Sequence, residues 1–440
     1  MDCMGGEDSF GKLIGYLNEA VEGFVEIRTG NNKHYPLRDV VLAAFSVFFT
    51  QSPSFLSFQT MMEKNKGNNN ARTIFGLEAI PSDNQIRNLL DPTPAEILFP
   101  VYMKTLADIE ERGGLEAYRV LNDTILVALD GTGYFYSEKI SCPRCCVSHH
   151  KDGRVSYAHS AITPVIVRPG SARVISLPPE FIRQQDGSAK EDCENQAAKR
   201  WLARWGDRIK DTGVTLLGDD LYSRQPVIEA VTAQELHYLF VCKPQSHPWL
   251  CEYIENADAK IDLHEFSIKK WTGKENLTFS YRWRNGVPVR DTKDALLVNW
   301  VELVITNENG QATFKNSYIT DHGLTQENVP DVVEAGRTRW KIENEHTNTL
   351  KTKGYHLEHN YGHGKQNLSE ILFCLILIAF SFHTVLELYD HRYRLIRQTL
   401  PTRRTFFDHI RALTTYLCFL NWTDLLLFML KGLELEDPGG

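Results

Sequence analysis

Apolar residues recur at helical spacing through FGKLIGYLNEAVEGF (10–24) and YPLRDVVLAAFSVFFT (35–50), which predicts helices over about the first 115 residues. Within that stretch PSDNQIRNLLD (81–91) opens like a capped helix, with Ser82 or Asp83 before the first turn. From about residue 118 the period changes. VLNDTILVALDGTGYF (120–135) reads as a strand that gives way to small turn residues after Asp130. YAHSAITPVIV (157–167) and ARVISL (172–177) read as two more strands, with a Pro-Gly turn between them. KEDCENQAAKRWLARWGDRIK (190–210) is an amphipathic helix with a basic outer side. VTLLGDDLY (214–222) is then a buried strand that breaks at its carboxyl end, and HYLFVCKP (237–244) follows a helix as a fifth strand. Residues 250–320 are β-like and rich in Trp, and Asn285-Gly286 is a hairpin-turn signal. From 328 to about 433 the pattern is helical again, and RTRWKIENEHTNTLKTKG (337–354) reads as one helix with Glu343 among several cations. No internal repeat is visible.

Composition narrows the class. A chain of 440 residues allows about two or three domains, and 42% hydrophobic with 24% charged residues is ordinary for a soluble globular protein. The longest apolar run, ILFCLILIAF (371–380), is too short to span a bilayer and reads as a buried helix, so no membrane partner is expected. The acidic start MDCMGGEDSFG carries no secretory signal, and nine Cys then point to reduced thiols in a cytosol. A net charge of -8 taken alone argues against nucleic-acid binding, which needs a basic surface. Charge is local, however: Arg392, Arg394, Arg397, Arg403 and Arg404 fall in one stretch without an acid.

The candidate chemistry lies in carboxylates. Asp130 ends the first strand and Asp219 the fourth. Groups at the carboxyl ends of strands line the ligand crevice of an open α/β sheet. If the strands order as third, second, first, fourth, fifth, these two acids emerge side by side. Such a pair is unfavourable unless a divalent cation lies between them, and Mg²⁺ takes carboxylate oxygens and bridges phosphates. Glu343 is the candidate third ligand. Taken singly each acid is weak: a strand-end Asp is usually a turn or cap residue, and a helical Glu near Arg is usually a solvated ion pair. The signal is the set LDGT, GDDLY and RWKIE, in that order on those elements.

With these motifs the chain resembles a DDE-type bacterial insertion-sequence transposase, in the branch with a β-rich insertion before the catalytic Glu. The resemblance covers roughly residues 80–385. It implies an α/β fold: a ribonuclease-H-like mixed sheet core with a β-strand insertion domain, flanked by helical N- and C-terminal regions. It implies catalytic, metal-binding roles for Asp130, Asp219 and Glu343, with two Mg²⁺ ions. The second motif of the family, Asp, any residue, a small residue, then an aromatic, is met by Asp219 and Tyr222, with Leu221 at the small position. Asp219 is therefore preferred to Asp220, which stays open as a second ligand or a cap. In the third motif Arg339 and Glu343 match, Gly336 stands where a Tyr is expected, and Lys351 comes one residue after the expected Lys. On a helix of about 100° per residue, seven and eight steps return near one face, so Lys351 and Arg339 are expected to meet DNA phosphates beside Glu343. Glu345 is the alternative acid on the same helix.

In the resembling enzymes the insertion supplies an aromatic that stacks on a flipped base, a contribution of roughly 1–3 kcal/mol per base. Trp271, Trp283 and Trp300 are candidates, although any one of them is more readily sheet core. Two Cys/His clusters remain. CPRCCVSHH (142–150) has zinc-ligand spacing, with Cys142, Cys145, His149 and, from the next helix start, Cys193 as a candidate structural Zn²⁺ set; the alternative is a loop of reduced thiols. GYHLEHNYGHG (354–364), with His356, Glu358, His359 and His363, lacks the His spacing of a helical zinc protease and reads as a DNA-contacting or structural loop.

The domains expected are 1–117 helical and DNA-binding, 118–244 the first part of the core, 245–325 the insertion, 326–385 the second part of the core with the catalytic helix, and 386–440 helical. The expected function is binding of terminal inverted repeats and metal-dependent strand cleavage and transfer in the bacterial cytoplasm. The expected partner is double-stranded DNA, contacted in part by Tyr222, Arg392, Arg394 and Arg397, with a homodimer on paired ends. Rival readings are a transposase-derived DNA-binding protein without catalysis and a zinc-dependent metalloenzyme centred on the Cys/His clusters.

Overall fold

Helices form where the apolar period predicts them. The computed structural model describes residues 9–29, 33–183, 193–256 and 262–438. The N-terminal part holds α1 (Ser9–Val21), α2 (Leu37–Phe49), α3 (Phe55–Met62), α4 (Asn65–Phe75), α5 (Asp83–Leu90) and α6 (Phe99–Glu111). Ser82, rather than Asp83, caps α5. Its hydroxyl accepts from Gln85 N–H, and the Gln85 side chain accepts from Ser82 N–H, a reciprocal capping box.

The β region runs β1 (Ile125–Ala128), β2 (Gly131–Ser137), β3 (Cys146–His149), β4 (Val155–Ile162), β5 (Val165–Val167), β6 (Ile175–Ser176), β7 (Glu180–Ile182), α7 (Glu194–Ile209), β8 (Val214–Gly218), α8 (Gln225–Thr232), β9 (His237–Val241), α9 (Pro248–Glu255), β10 (His264–Trp271), β11 (Asn276–Pro288), β12 (Leu297–Thr306) and β13 (Ala312–Thr320). One nine-stranded mixed sheet has the order β10-β11-β12-β13-β9-β8-β1-β5-β6. β1, β8 and β9 are parallel, and β5 is antiparallel to β1. β1 and β8 are buried along their whole length, as parallel strands covered on both faces must be. Their adjacency is the arrangement under which Asp130 and Asp219 emerge together.

Two predicted strands are each split. The first breaks at Leu129–Asp130, and its continuation β2 joins a second sheet, β2-β4-β3, with β7 on β4. The second breaks at Thr163–Pro164 into β4 and β5, where Pro164 has no N–H for the ladder. Asn285-Gly286, expected as a hairpin turn, instead lies inside β11 at a shift in register against β12. Gly286 has φ of +69°, and the Asn285 side chain bonds to both N–H and C=O of Leu324, so the pair forms a bulge. The four-stranded meander of β10–β13 is continuous with the core sheet, because β13 pairs antiparallel with β9.

The C-terminal part holds α10 (Val329–Arg337), α11 (Asn348–Thr352), α12 (Leu368–Tyr389), α13 (His391–Thr399), α14 (Arg403–Tyr416) and α15 (Trp422–Gly432). Residues 337–354 are not one helix. α10 ends, a tight turn follows, and Ile342–Thr347 adopts a wide π turn before α11. Such i→i+5 turns are rare and often lie at functional sites.

α12 outruns the apolar run that predicted it. Its 22 residues are long and apolar enough to cross a membrane, yet its most apolar window is 89% buried inside the protein, against α1, α2, α5, α6 and α13. Each fully buried Leu, Ile or Phe on it contributes roughly 1.5–3 kcal/mol. Asp91 caps its start: the carboxylate accepts from the N–H groups of Lys365, Gln366, Asn367 and Leu368 at 2.9–3.0 Å. Burial pushes this carboxyl up, but the four donors outweigh it and hold it below the ordinary Asp value. Its stabilisation is therefore full at neutral pH and is lost as pH falls through that depressed value. Asp91→Ala is expected to cost about 2 kcal/mol at pH 7, the upper end for a lost cap, and less in acid. Urea unfolding at pH 7 and near pH 3 checks it, and an equal loss at both would sink the explanation.

Candidate active site

The parallel register places Ala128 opposite Leu217, so Asp130 and Asp219, each two residues further on, leave the sheet side by side. Asp130 is pushed up to about 6, first by burial; Arg339 opposes this, and Glu343, Glu194 and Asp219 add to it. One half-buried carboxyl thus senses three further acids and one guanidinium, contributed by α7, the end of β8 and the segment after α10.

Glu194 is the residue that sequence reasoning missed. It opens α7, accepts a hydrogen bond from Tyr222 Oη at 3.4 Å, and is bonded by the backbone of Gly131. Burial and then Asp219 raise its carboxyl. A Cβ on Gly131 would sit 2.4 Å from the Glu194 carboxyl, so the close approach itself requires glycine there. In the sequence Glu194 is one of three acids in KEDCEN at a helix start, where acids are common for electrostatic reasons alone. Tyr222, expected to touch DNA, is fully buried; burial raises its hydroxyl, which remains a donor to Glu194.

Asp219 and Asp220 part company. Asp219 Oδ1 accepts a local bond from Leu221 N–H at 2.8 Å and stays near Asp130 and Glu194. Asp220 turns to the 243–247 turn, where it accepts from Lys243 N–H at 2.7 Å and from the Ser246 hydroxyl. It is a cap.

Glu343 lies on the π turn with its side chain half exposed, and Arg339 donates to it at 2.7 Å. Glu345 borders a separate cleft with Arg173, Lys353 and Arg403. The oxygens of Asp130, Asp219 and Glu343 are not all within 4.8 Å of one another. Lys351 pairs with Glu358 at 2.9 Å. The π turn between Glu343 and Lys351 interrupts the step of about 100° on which a shared face depends. Gly336, where the resemblance expects Tyr, is overlain by Tyr318: a Cβ there would meet its ring at 2.7 Å.

The Arg-rich stretch is held largely within the fold. Arg392 forms a two-bond pair with Asp437, Arg394 donates to the Leu388 carbonyl, and Arg397 is mostly buried near Glu387 and over Phe406. Arg404, in contrast, is 89% exposed. Of the three insertion Trp, Trp283 and Trp300 are buried and Trp271 is 63% exposed at the end of β10.

Cys142 and Cys145 meet His159 and His363 rather than His149 and Cys193. His149 falls on the exposed end of β3, paired with Val155. Cys193 precedes Glu194, which is drawn to Gly131, and it is exposed. His356 and His359 are exposed in the loop before α12, whereas His363 is buried.

Four acids against one guanidinium in a half-buried site repel one another. Hard oxygen donors of this kind suit Mg²⁺ rather than a thiophilic metal, and the raised Asp130 and Glu194 are what a cation would relieve. No family model and no curated protein matches the chain. Among solved structures the chain is similar to a piggyBac transposase synaptic complex with hairpin DNA, at 11% identity and a TM-score of 0.40, over 99% of this chain and 81% of that one.

Proposed function

We propose that this chain is a DNA transposase of the DDE type, with a ribonuclease-H-like core, that binds the terminal inverted repeats of its element and cleaves and joins DNA strands. The observation that carries the reading is the convergence of Asp130, Asp219, Glu194 and Glu343, from four separate segments, at the carboxyl ends of adjacent parallel strands. Asp130, Asp219 and Glu343 would hold divalent ions, with Glu194 as a further ligand. When bound there, such ions activate a water or a 3′-hydroxyl and stabilise the leaving 3′ oxygen. The chain's own part is positioning. Tyr222 fixes Glu194, Arg339 fixes Glu343, and Asp220, held in its turn, keeps the β8 end rigid.

The DNA path is proposed along the cleft between the meander and α10. Exposed Lys270 and Arg337 line it with Asp331, Glu334 and the partly exposed Trp340, over whose ring the buried Lys341 lies. Cations there suit phosphates and the indole suits a base. Exposed Trp271, next to Lys270, is a second stacking candidate. Action on paired ends as a homodimer, in the bacterial cytoplasm, belongs to the same proposal.

The test is cleavage of a labelled duplex carrying the element's own terminal repeat, in Mg²⁺, by wild type and Glu343→Gln. Wild type is expected to nick at the end. The variant should bind equally and cut at least about 10²–10³-fold more slowly, the scale of one lost transition-state contact. Equal cutting by both would overturn the assignment, and binding without cutting by wild type would favour a DNA-binding protein without catalysis.

A further inference from the structure

The geometry points to a second metal centre, unrelated to the carboxylates: we propose that Cys142, Cys145, His159 and His363 bind one structural Zn²⁺ ion. Cys142 Sγ and Cys145 Sγ are 3.8 Å apart. His159 Nε2 lies 3.5 Å from Cys142 Sγ and 3.4 Å from Cys145 Sγ. His363 Nε2 lies 3.4 Å from Cys145 Sγ and 3.1 Å from His159 Nε2. All four donor atoms fall within 4.8 Å of one another.

These are edges of a tetrahedron around one ion. With Zn–S of about 2.3 Å and Zn–N of about 2.0–2.1 Å, tetrahedral bonds give edges of roughly 3.8 Å for S–S, 3.6 Å for S–N and 3.3 Å for N–N. The five observed edges follow that ranking and lie within a few tenths of an ångström of it. Hydrogen bonding among the four groups explains the arrangement less well. Thiols are weak donors, and two neutral imidazoles that face each other through the same ring nitrogen can share only one proton. His363 Nδ1 lies 3.1 Å from the Gly364 carbonyl, so it carries the proton and leaves the Nε2 lone pair directed at the centre.

Charge agrees with the surroundings. Zn²⁺ with two thiolates and two neutral imidazoles is electrically neutral, and binding releases the two thiol protons. A neutral centre suits a site walled by aromatic rings: Tyr134 stacks on His159 at 5.7 Å, and the Phe135 ring is 4.3 Å from His363. Four protein ligands leave no open position, which marks a structural rather than a catalytic zinc. Under this proposal the zinc at these residues is structural and carries no catalysis.

The ion would join three segments distant in sequence: the turn between β2 and β3, strand β4, and the loop between α11 and α12. That loop leads from the helical segment carrying Glu343 into the core helix. Arg144, inside the Cys turn, reaches the same helix through Glu370 at 2.6 Å, so the turn is held in place with or without metal. Such preorganisation favours a tetrahedral ion over looser geometries.

The experiment is elemental analysis of the full chain purified without chelator, with Co²⁺ replacement followed by absorption spectroscopy. One Zn per chain is expected. Cobalt protein should show intense visible bands of a tetrahedral site and a thiolate charge-transfer band. Cys145→Ser and His363→Ala should lose the metal, while Cys193→Ser and His149→Ala keep one Zn per chain. Wild type holding almost no zinc and giving only the weak spectrum of octahedral cobalt would overturn the proposal without recourse to any variant. Loss of zinc in Cys193→Ser, or its full retention in Cys145→Ser, would overturn this ligand set. None of these readouts involves DNA, so they stand or fall apart from the cleavage test.

Discussion

Asp130→Asn is expected to make the protein more stable at pH 8 while abolishing DNA cleavage. Asp130 titrates at about 6 in the fold, pushed up by burial and by Glu343, Glu194 and Asp219 against the pull of Arg339. The ordinary value is near 4. A carboxyl raised on folding stabilises fully only below its unfolded value, and that contribution is lost as pH rises through the folded value. Above about pH 6 the ionised Asp130 therefore destabilises the fold. Two units correspond to about 2–3 kcal/mol at about 1.4 kcal/mol per unit. The Asn variant, neutral at every pH, should recover about that much at pH 8 and almost nothing at pH 4. Added Mg²⁺ should narrow the gap by stabilising wild type alone. Cleavage should fall at least 10³-fold, because a ligand and its charge are lost together. Urea unfolding at both pH values, with and without Mg²⁺, decides the matter. A variant no more stable than wild type at pH 8 would mean that Asp130 is not a strained metal ligand.

Glu370→Ala is expected to be the most destabilising single change of a charged side chain. Glu370 on α12 is 1% exposed. It accepts from Arg144 at 2.6 Å and from Arg183 at 2.7 and 2.8 Å, and Arg183 continues to Glu96 at 2.8 Å. The network ties the Cys turn, the end of β7 and the segment before α6 to the core helix. Removing one member of a buried ion pair typically costs about 3–5 kcal/mol, and the lower end is expected here because Arg144 and Arg183 keep about a third of their side chains in solvent. Arg154→Ala is the contrast: its pairs with Glu138 and Asp152 are about half exposed, and little change in unfolding midpoint is expected. If urea midpoints of the two variants move alike, the buried network does not hold the sheets to α12.

Much of the candidate site is legible in the sequence because its signals are local. Asp130 and Asp219 each close an apolar run, and a strand buried on both faces must end where a charge begins. Cys142 and Cys145 are three residues apart in one turn, which is enough to suggest a metal. The capping box at Ser82 and the burial of α12 are likewise set within one or two helical turns. The reading goes astray where a local signal has a non-local use. The Arg residues of 392–404 look like a basic face, yet Asp437 and Glu387 reach Arg392, Arg397 and Arg403 from elsewhere in the chain.

What the sequence determined by itself is the alternation of helices and strands, the strand-end acids and the half-site of two thiols, all of which follow from spacings shorter than one element. What only the tertiary structure decided is which partners meet. Glu194 is an unremarked helix-start acid until α7 packs beside β8. His159 and His363 are a strand residue and a loop residue until the second sheet folds under α12. The π turn at Glu343 replaces a regular helix only in its packed setting. Period and composition report how a segment faces water, whereas a site of four side chains from four segments depends on the packing that brings those segments together.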